Sequence, residues 1–432
     1  MAQITIPAGG REHPLTVPDG SLLCCHIPPL VPAIPAGQLP GMIQDALEKP
    51  VGVSSSLPNL VDSTKTVAVI VDDWARPNST RHVVAPMVLD VLNEYGVPDG
   101  QISVLMARGL ALCPEVEVID AAFGQGILGR NVCVAISSYH PSQLAFLGYS
   151  SLGTPIWVDR TVVEADVVIG IGTIAPTPWG GWSGGAKIIT PGVSGAETIR
   201  QNHSVMMKTV PGSLDNPGLR DREEIARVAG LDLLINVLVN LTGEITDLAA
   251  GETVAVHRRL VDAYRRHYQL EVPEIVDIII TTLDRFNGYP QSAWYITADG
   301  CLPAVEMVAD PGATVIAVGS CPQGVGGGAR EYMRTAYTLE DLAFLLPQCG
   351  VFGSSSLMFG THFAFQRERY NILAVVDGMS QAACADIGIG WADNVQDAFD
   401  EALSRHGSEA KVAVIAGLGN ISLPVVPERH QG

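Results

Sequence analysis

Apolar and polar positions along most of the chain alternate between two periods. Residues 66–71, 102–106, 132–136 and 167–171 are almost wholly apolar, the pattern of strands buried on both faces of a parallel sheet. Between them, 81–95 and 114–123 carry helical spacing, and strand alternating with helix predicts parallel α/β architecture. Residues 252–268 read as an amphipathic helix, with Val256, Leu260 and Tyr264 at four-residue intervals. Immediately afterwards LEVPEIVDIIITT changes from helical to strand register, which places a domain boundary near Val272. The second half repeats the rhythm, with strands at 275–280, 314–318, 373–376 and 412–415 and helices near 294–308, 339–346 and 395–404. The expectation is two doubly wound α/β domains, 1–272 and 273–432, with a ligand site in the cleft between them. Residues 4–60 break the pattern: Pro28, Pro29, Pro32 and Pro35 forbid a long helix, leaving irregular strands and connections.

Composition narrows the possibilities. A chain of 432 residues exceeds one ordinary core, and 47 % apolar against 16 % charged residues fits extensive buried sheet. The formal net charge of −19 argues against a nucleic-acid backbone or an anionic membrane as partner, while leaving a small anion free to bind a locally positive site. Eight cysteines show no CxxC spacing, and Cys24-Cys25-His26 lacks a second ligand pair, so a zinc site is not expected. The start of the chain lacks a secretory pattern and no apolar run is long enough to span a bilayer, so the expected location is the cytoplasm.

The densest chemistry lies in GGWSGGAKIITPGVSGAETIRQNH, residues 180–203, directly after the buried strand pattern ADVVIGIG. Such a loop belongs at a strand's carboxyl end, where open α/β sheets place ligands. Gly184 and Gly185 let backbone N–H groups approach an anion, and Lys187 adds charge. Asp73 and Arg76 follow the strand pattern at 66–71; an arginine there grips a carboxylate or phosphate through two parallel hydrogen bonds, and Asp73 orients it or meets a ribose hydroxyl. None of the ten histidines forms HxH or HxxxH spacing. His140 reads as a turn cap before a helical 143–147, His257 and His267 as solvated on an arginine-rich helix, and Met106 and Met207 as core.

Taken together, Asp73-Trp-Ala-Arg76-Pro77, Ser183-Gly-Gly-Ala-Lys187, Pro191-Gly192 and His203 resemble the lactate racemase family of nickel-pincer nucleotide enzymes. Weaker similarity runs through Asn216-Pro217-Gly-Leu-Arg220, Ala249-Ala-Gly251 and Cys321-Pro-Gln-Gly324. The resemblance implies that His203 ligates nickel, that Lys187 binds the pincer cofactor, covalently in some members, and that Asp73, Arg76, Ser183, Gly184 and Gly185 complete its site. It also implies that enzymes building the cofactor are partners.

The departures restrict the reaction. The family's two acid/base histidines fall at Ala111 and Thr177, neither of which titrates near neutrality. Its Tyr-Gln-x-x-Lys becomes Tyr295-Ile-Thr-Ala-Asp299, exchanging an ammonium for a carboxylate, and Phe363 replaces a tryptophan that packs on the cofactor or substrate. Asp299, Tyr295 and His362 are the substitute acid/base candidates. The expected protein is an isomerase: racemisation, epimerisation or isomerisation by hydride transfer on a hydroxy acid or polyol other than lactate. The alternative is a protein that holds the nickel-pincer cofactor for storage, delivery or regulation without racemase activity.

Overall fold

The computed structural model describes residues 1–427 apart from 53–54, 75, 111–115, 207–208, 284–300, 327–329, 346–347 and 349–350. Strands β1 (Ala2–Ala8) and β2 (Arg11–Val17) form an antiparallel hairpin, followed by β3 (Leu22–His26). After the proline-rich connection comes α1 (Leu39–Glu48), whose Pro40 sits in the first turn, where no backbone donor is required.

The first sheet contains β4 (Val67–Asp72), β5 (Ile102–Ala107) and β6 (Cys133–Val134). Beside it, β7 (Leu144–Tyr149) and β8 (Pro155–Asp159) make a separate hairpin. The chain returns to the sheet at β9 (Val167–Thr173), makes the short ladder β10 (Pro176–Thr177) and β11 (Gly181–Trp182), and finishes the sheet with β12 (Leu233–Val239) and β13 (Ile245–Gly251). The order is β13-β12-β9-β4-β5-β6, parallel except for antiparallel β13. From β4 the chain moves outward to β5 and β6, then crosses to β4's other side at β9. The direction of winding therefore reverses between β4 and β9, and their carboxyl ends bound a crevice.

Alternate side chains of these strands feed two cores, so the sheet is covered on both faces. Val67, Val69, Val71 and Ile169 meet Ile43 and Leu47 of α1 and Val88 and Leu92 of α2 (Ala85–Glu94). The opposite face carries Ala68, Ile70, Val168 and Leu234. After α3 (Ala196–Ser204), α4 (Pro217–Val228) covers that face with Ile225 and α5 (Thr253–Tyr268) with Val256, Leu260 and Tyr264.

β14 (Gln269–Glu271) pairs with β20 (Leu423–Val425), and the second sheet contains β15 (Val276–Thr282), β16 (Ala309–Ser320), β17 (Asn371–Asp377), β18 (Gly390–Trp391) and β19 (Val412–Ile415). Its order is β18-β17-β16-β15-β19-β3, all parallel. The expected boundary at Val272 falls between the later strands of the two sheets. Residues 2–26, however, build on the second sheet: β3 occupies its edge, and Ile6, Ala8, Leu15 and Val17 of the hairpin pack with Ile278, Ile280 and Val414. An amphipathic hairpin needs a sheet face to cover, and nothing in its local pattern specifies which sheet supplies it.

One local expectation is corrected, and one helix was not anticipated. Residues 143–147 belong to strand β7 after a single 3₁₀ turn at Pro141–Gln143, not to a helix. The sequence pattern gave no sign of α6 (Val351–Arg369), because its apolar residues surround the helix without forming a stripe. The second sheet's faces are closed by α6 and by α7 (Val395–His406).

Candidate functional site

Asp72, the last residue of β4, joins the two strands that bound the crevice. Its Oδ2 accepts bonds from the Thr173 backbone N–H (3.1 Å) and hydroxyl (2.8 Å) at the end of β9. Its Oδ1 accepts from Thr80 (2.5 Å) and from Arg81 Nη1 (3.0 Å), and Arg81 is wholly buried. The same guanidinium donates to the carbonyls of Asp73, Arg76 (3.0 Å) and Ala122 (2.9 Å) and to Asn78 Oδ1 (2.7 Å). Arg81 thus fixes the 73–76 loop from beneath. A fork with five donors can hold several acceptors at once, which a lysine cannot do.

Above this base lies a partly open cleft of about 80 Å³ lined by Asp73, Arg76, Arg108, Ser183, Gly184 and Lys187, among others. The cleft therefore brings together loops separated by more than a hundred residues. Ser183 is buried as a latch, accepting from Ala175 N–H (2.8 Å) and donating to Thr173 O (2.7 Å). Gly184 has φ +71°, and a Cβ there would stand 2.5 Å from Ile174 and 2.9 Å from Asn236 Oδ1, so the loop requires glycine. Gly185 donates its N–H to Asn236 Oδ1 (2.8 Å) and rests on His257, 2.6 Å from where a Cβ would be. Lys187 follows in the one-turn helix Gly185–Ile188.

His257 corrects the expectation of a solvated histidine. It is buried on the inner side of α5, accepts from Arg258 at Nδ1 (2.9 Å) and donates from Nε2 to Ser183 O (3.3 Å). Burial, reinforced by the adjacent Arg258 charge, lowers its pKa to about 3. A neutral imidazole thereby supports the lysine loop, and Arg258 continues the chain to Glu223 (2.8 Å).

His203 lies in the last turn of α3, partly exposed and outside the lining of the 80 Å³ cleft. Its Nδ1–H donates to Ile199 O (2.9 Å), leaving the Nε2 lone pair available to a metal. Desolvation, then the charges of Arg222 and Lys187, hold its pKa well below 6.5, so the neutral, ligating form prevails. A buried network sets its position. Asn202 donates to Gly218 O (3.0 Å) and Asp221 (2.8 Å) and accepts from Arg222 Nε (3.0 Å). Arg222 also donates to Trp179 O (2.9 Å), and burial lowers its pKa to about 9. One guanidinium therefore ties the helix bearing His203 to the loop bearing Trp179.

Trp179 meets residues from both halves. Its ring centroid lies 6.0 Å from His203, 4.8 Å from Phe359 and 5.7 Å from His362, the latter two on α6. His362 is buried beside it. Phe363 corrects an expectation: it points into the core of the second half, and Phe359, one turn earlier, makes the contact across the halves. Thr177 is buried and accepts the Trp179 backbone N–H (3.3 Å). Ala111, Met207, Tyr295 and Asp299 lie outside the described residues. Among the described residues, no group of three or more His, Cys, Asp or Glu side chains is arranged to hold a metal.

Sequence reasoning passed over Asp72, Arg81, Asn202, Arg222 and Trp179. Arg222 lies in the charged run LRDREE, which reads as a solvated helix face. Trp179, one of two tryptophans in a Gly/Pro-rich loop, was the one visible signal.

A doubly wound chain with a lysine loop at its switch point and a histidine beside it defines a class that comparison makes specific. Residues 9–213 match the model of the lactate racemase N-terminal domain. The chain is 26 % identical over 397 residues to the lactate racemase of Lactiplantibacillus plantarum, covering 88 % of this chain and 90 % of the relative. It is 26 % identical over 291 residues to that of Thermoanaerobacterium thermosaccharolyticum, covering 66 % and 67 %. The fold matches the lactate racemase apoprotein structure from the latter organism with a TM-score of 0.85 at 22 % identity, over 98 % of this chain and 100 % of that one. A Thermotoga maritima protein matches with a TM-score of 0.66 at 15 % identity, over 93 % and 100 %. Residues 9–213 thus match a lactate racemase domain, and over most of its length the chain is similar to lactate racemases in sequence and in fold.

Proposed function

We propose that the protein is a nickel-pincer nucleotide enzyme that racemises, epimerises or isomerises a hydroxylated small molecule other than lactate. The observation carrying this reading is His203, whose Nδ1–H is committed to Ile199 O and whose Nε2 is left for a metal. The residues fit such a group. In a chain of net charge −19, Arg76, Arg108 and Lys187 gather around one cleft, which suits an anionic moiety. Its 80 Å³ suits a phosphate-sized group and falls short of the about 300–1,000 Å³ of a whole ligand pocket. When bound, the cofactor supplies a hydride acceptor and donor.

The chain's own residues divide the remaining work. Asp73, Arg76, Gly184 and Lys187 hold the cofactor, with Ser183 and Gly185 shaping the loop. His362, buried against Trp179, is the described candidate to take and return the substrate's hydroxyl proton, with Asp299 and Tyr295 as further candidates. The contact between α6 and the Trp179 loop covers that space with aromatic side chains. The thiols at Cys24, Cys25, Cys133, Cys321 and Cys384 suit the reducing cytoplasm, where we place the protein.

The test is to produce the chain in cells that make the cofactor, measure nickel per chain, and follow hydroxy acids and polyols by chiral chromatography. We expect stoichiometric nickel that His203→Ala loses, together with turnover on a non-lactate substrate. Equal nickel in His203→Ala refutes the assignment. A second reading, cofactor holding without turnover, draws support from Ala111 and Thr177 at the family's acid/base positions. Full nickel with no turnover across the panel would favour it.

A further inference from the structure

The indole of Trp179 is a buried donor without an acceptor among the described residues. The residue is 5 % exposed, and its Nε1–H has no hydrogen-bond partner among the described residues. An unmade bond at a buried donor is costly, and functional sites are where such donors recur. The ring's surroundings identify what it awaits. His203 stacks at 6.0 Å and His362 stands edge-on at 5.7 Å, so Trp179 lies between the two imidazoles assigned above to metal and proton chemistry. Arg222 holds the Trp179 carbonyl and Thr177 the Trp179 backbone N–H, so the indole is presented from a fixed loop.

We propose that Trp179 is a substrate-binding residue whose indole N–H donates to the oxygen on the substrate's reacting carbon. The inference rests on the functional reading above. It extends that reading by naming how the hydroxyl is held in a site whose two family histidines are replaced. An indole is donor-only, so it holds a hydroxyl or carbonyl oxygen without competing for the proton. Phe359, 4.8 Å from the ring, closes the apolar side and favours a small substrate with one oxygen at this point. The position therefore selects for an oxygen acceptor, since a site with a dry donor rejects analogues that leave it unpaired.

The test uses the full chain without cofactor, ¹⁵N-labelled at its six tryptophan indoles. The Trp179 signal is assigned by its loss in Trp179→Phe. Glycolate is the hydroxylated probe and acetate the control lacking the hydroxyl. Trp182, whose Nε1 is also buried without a partner among the described residues but whose ring packs on Tyr264 and Arg265, serves as internal reference. We expect glycolate to move the Trp179 indole proton downfield while acetate and Trp182 show little change. Trp179→Phe should bind glycolate about five- to tenfold more weakly, the effect of one hydrogen bond. It should retain wild-type nickel when made with cofactor. An unmoved Trp179 signal, equal movement with acetate, or equal movement of Trp182 overturns the proposal. Loss of nickel in wild-type protein would instead refute the metal reading and leaves the indole titration to be judged separately.

Discussion

The two sheets share a winding pattern and differ in what they place at its reversal. Between β4 and β9, buried Asp72 and Arg81 cross-link the strand ends and hold the loops bearing Arg76 and Lys187. Between β15 and β19 the corresponding ties are hydroxyl-to-backbone bonds: Thr282 accepts from Gly417 N–H (3.0 Å) and Thr281 from Leu418 N–H (3.1 Å). The first arrangement commits ionised groups to the interior, a stability cost that a purely structural junction does not require. The second closes the same topology with neutral groups. Charge at a strand junction thus separates the half proposed to hold an anion from the half that covers it, and α6 brings Phe359 and His362 from the covering half onto Trp179.

The largest effect expected concerns the reaction itself. With nickel and cofactor loaded, the protein should not interconvert D- and L-lactate at a useful rate. Each absent general base costs on the order of 10²–10⁴-fold, and on the proposed reading Ala111 and Thr177 stand at both positions. Chiral chromatography of either enantiomer decides it. Rapid racemisation would mean that the covering half supplies a complete acid/base pair, giving it a larger chemical share than the comparison assigns.

Asp72→Ala probes the charged junction directly. It leaves the Arg81 guanidinium buried without its carboxylate and frees the end of β9, so a loss of about 3–5 kcal/mol is expected. The urea unfolding midpoint reports it. A loss below about 1 kcal/mol would show that water or rearrangement relieves Arg81, and the junction would not be the rigid base described.

How much of this was legible in the sequence depended on whether an interaction is local. Apolar runs such as VAVIV in β4 announce themselves, and the glycine-rich loop after a buried strand points to the strand end where Lys187 lies. The Arg81–Asp72 pair is only nine residues apart, yet a strand-end aspartate followed by an arginine looks like any surface turn. Arg222 and Asn202 were hidden because charged helical runs usually face water, and their burial follows from packing between α3 and α4. His257 misled for the same reason: its neighbours Arg258 and Arg259 suggested a solvated face, while the residue itself points inward beneath Gly185.

His257 also sets a pH dependence specific to the first half. Its folded pKa of about 3 lies below the ordinary 6.5, so the unfolded chain binds the proton more readily between these values. Stability is complete above about pH 6.5 and declines as pH falls toward 3, by at most about 1.4 kcal/mol per pH unit from this group. In cofactor-free protein His203 contributes in the same direction, since its pKa is also lowered. His257→Gln should flatten unfolding midpoints measured from pH 6.5 down to 4.5. An unchanged slope would mean that acid lability originates elsewhere.

The smallest effect is the one most able to break the comparison. Thr282→Val keeps side-chain volume near β15's carboxyl end and removes the acceptor for Gly417 N–H, in a wholly buried setting. One unsatisfied buried donor should cost about 1–3 kcal/mol, less than removal of Asp72. Because the neutral junction is assigned a closing role only, nickel content after cofactor loading should match wild type. Midpoint shifts and metal analysis on the same preparation separate the two consequences. If Thr282→Val were mildly destabilised but lost nickel, the second junction would be shaping the metal site through the contact between α6 and Trp179. The contrast between a binding half and a covering half would then give way to one shared site.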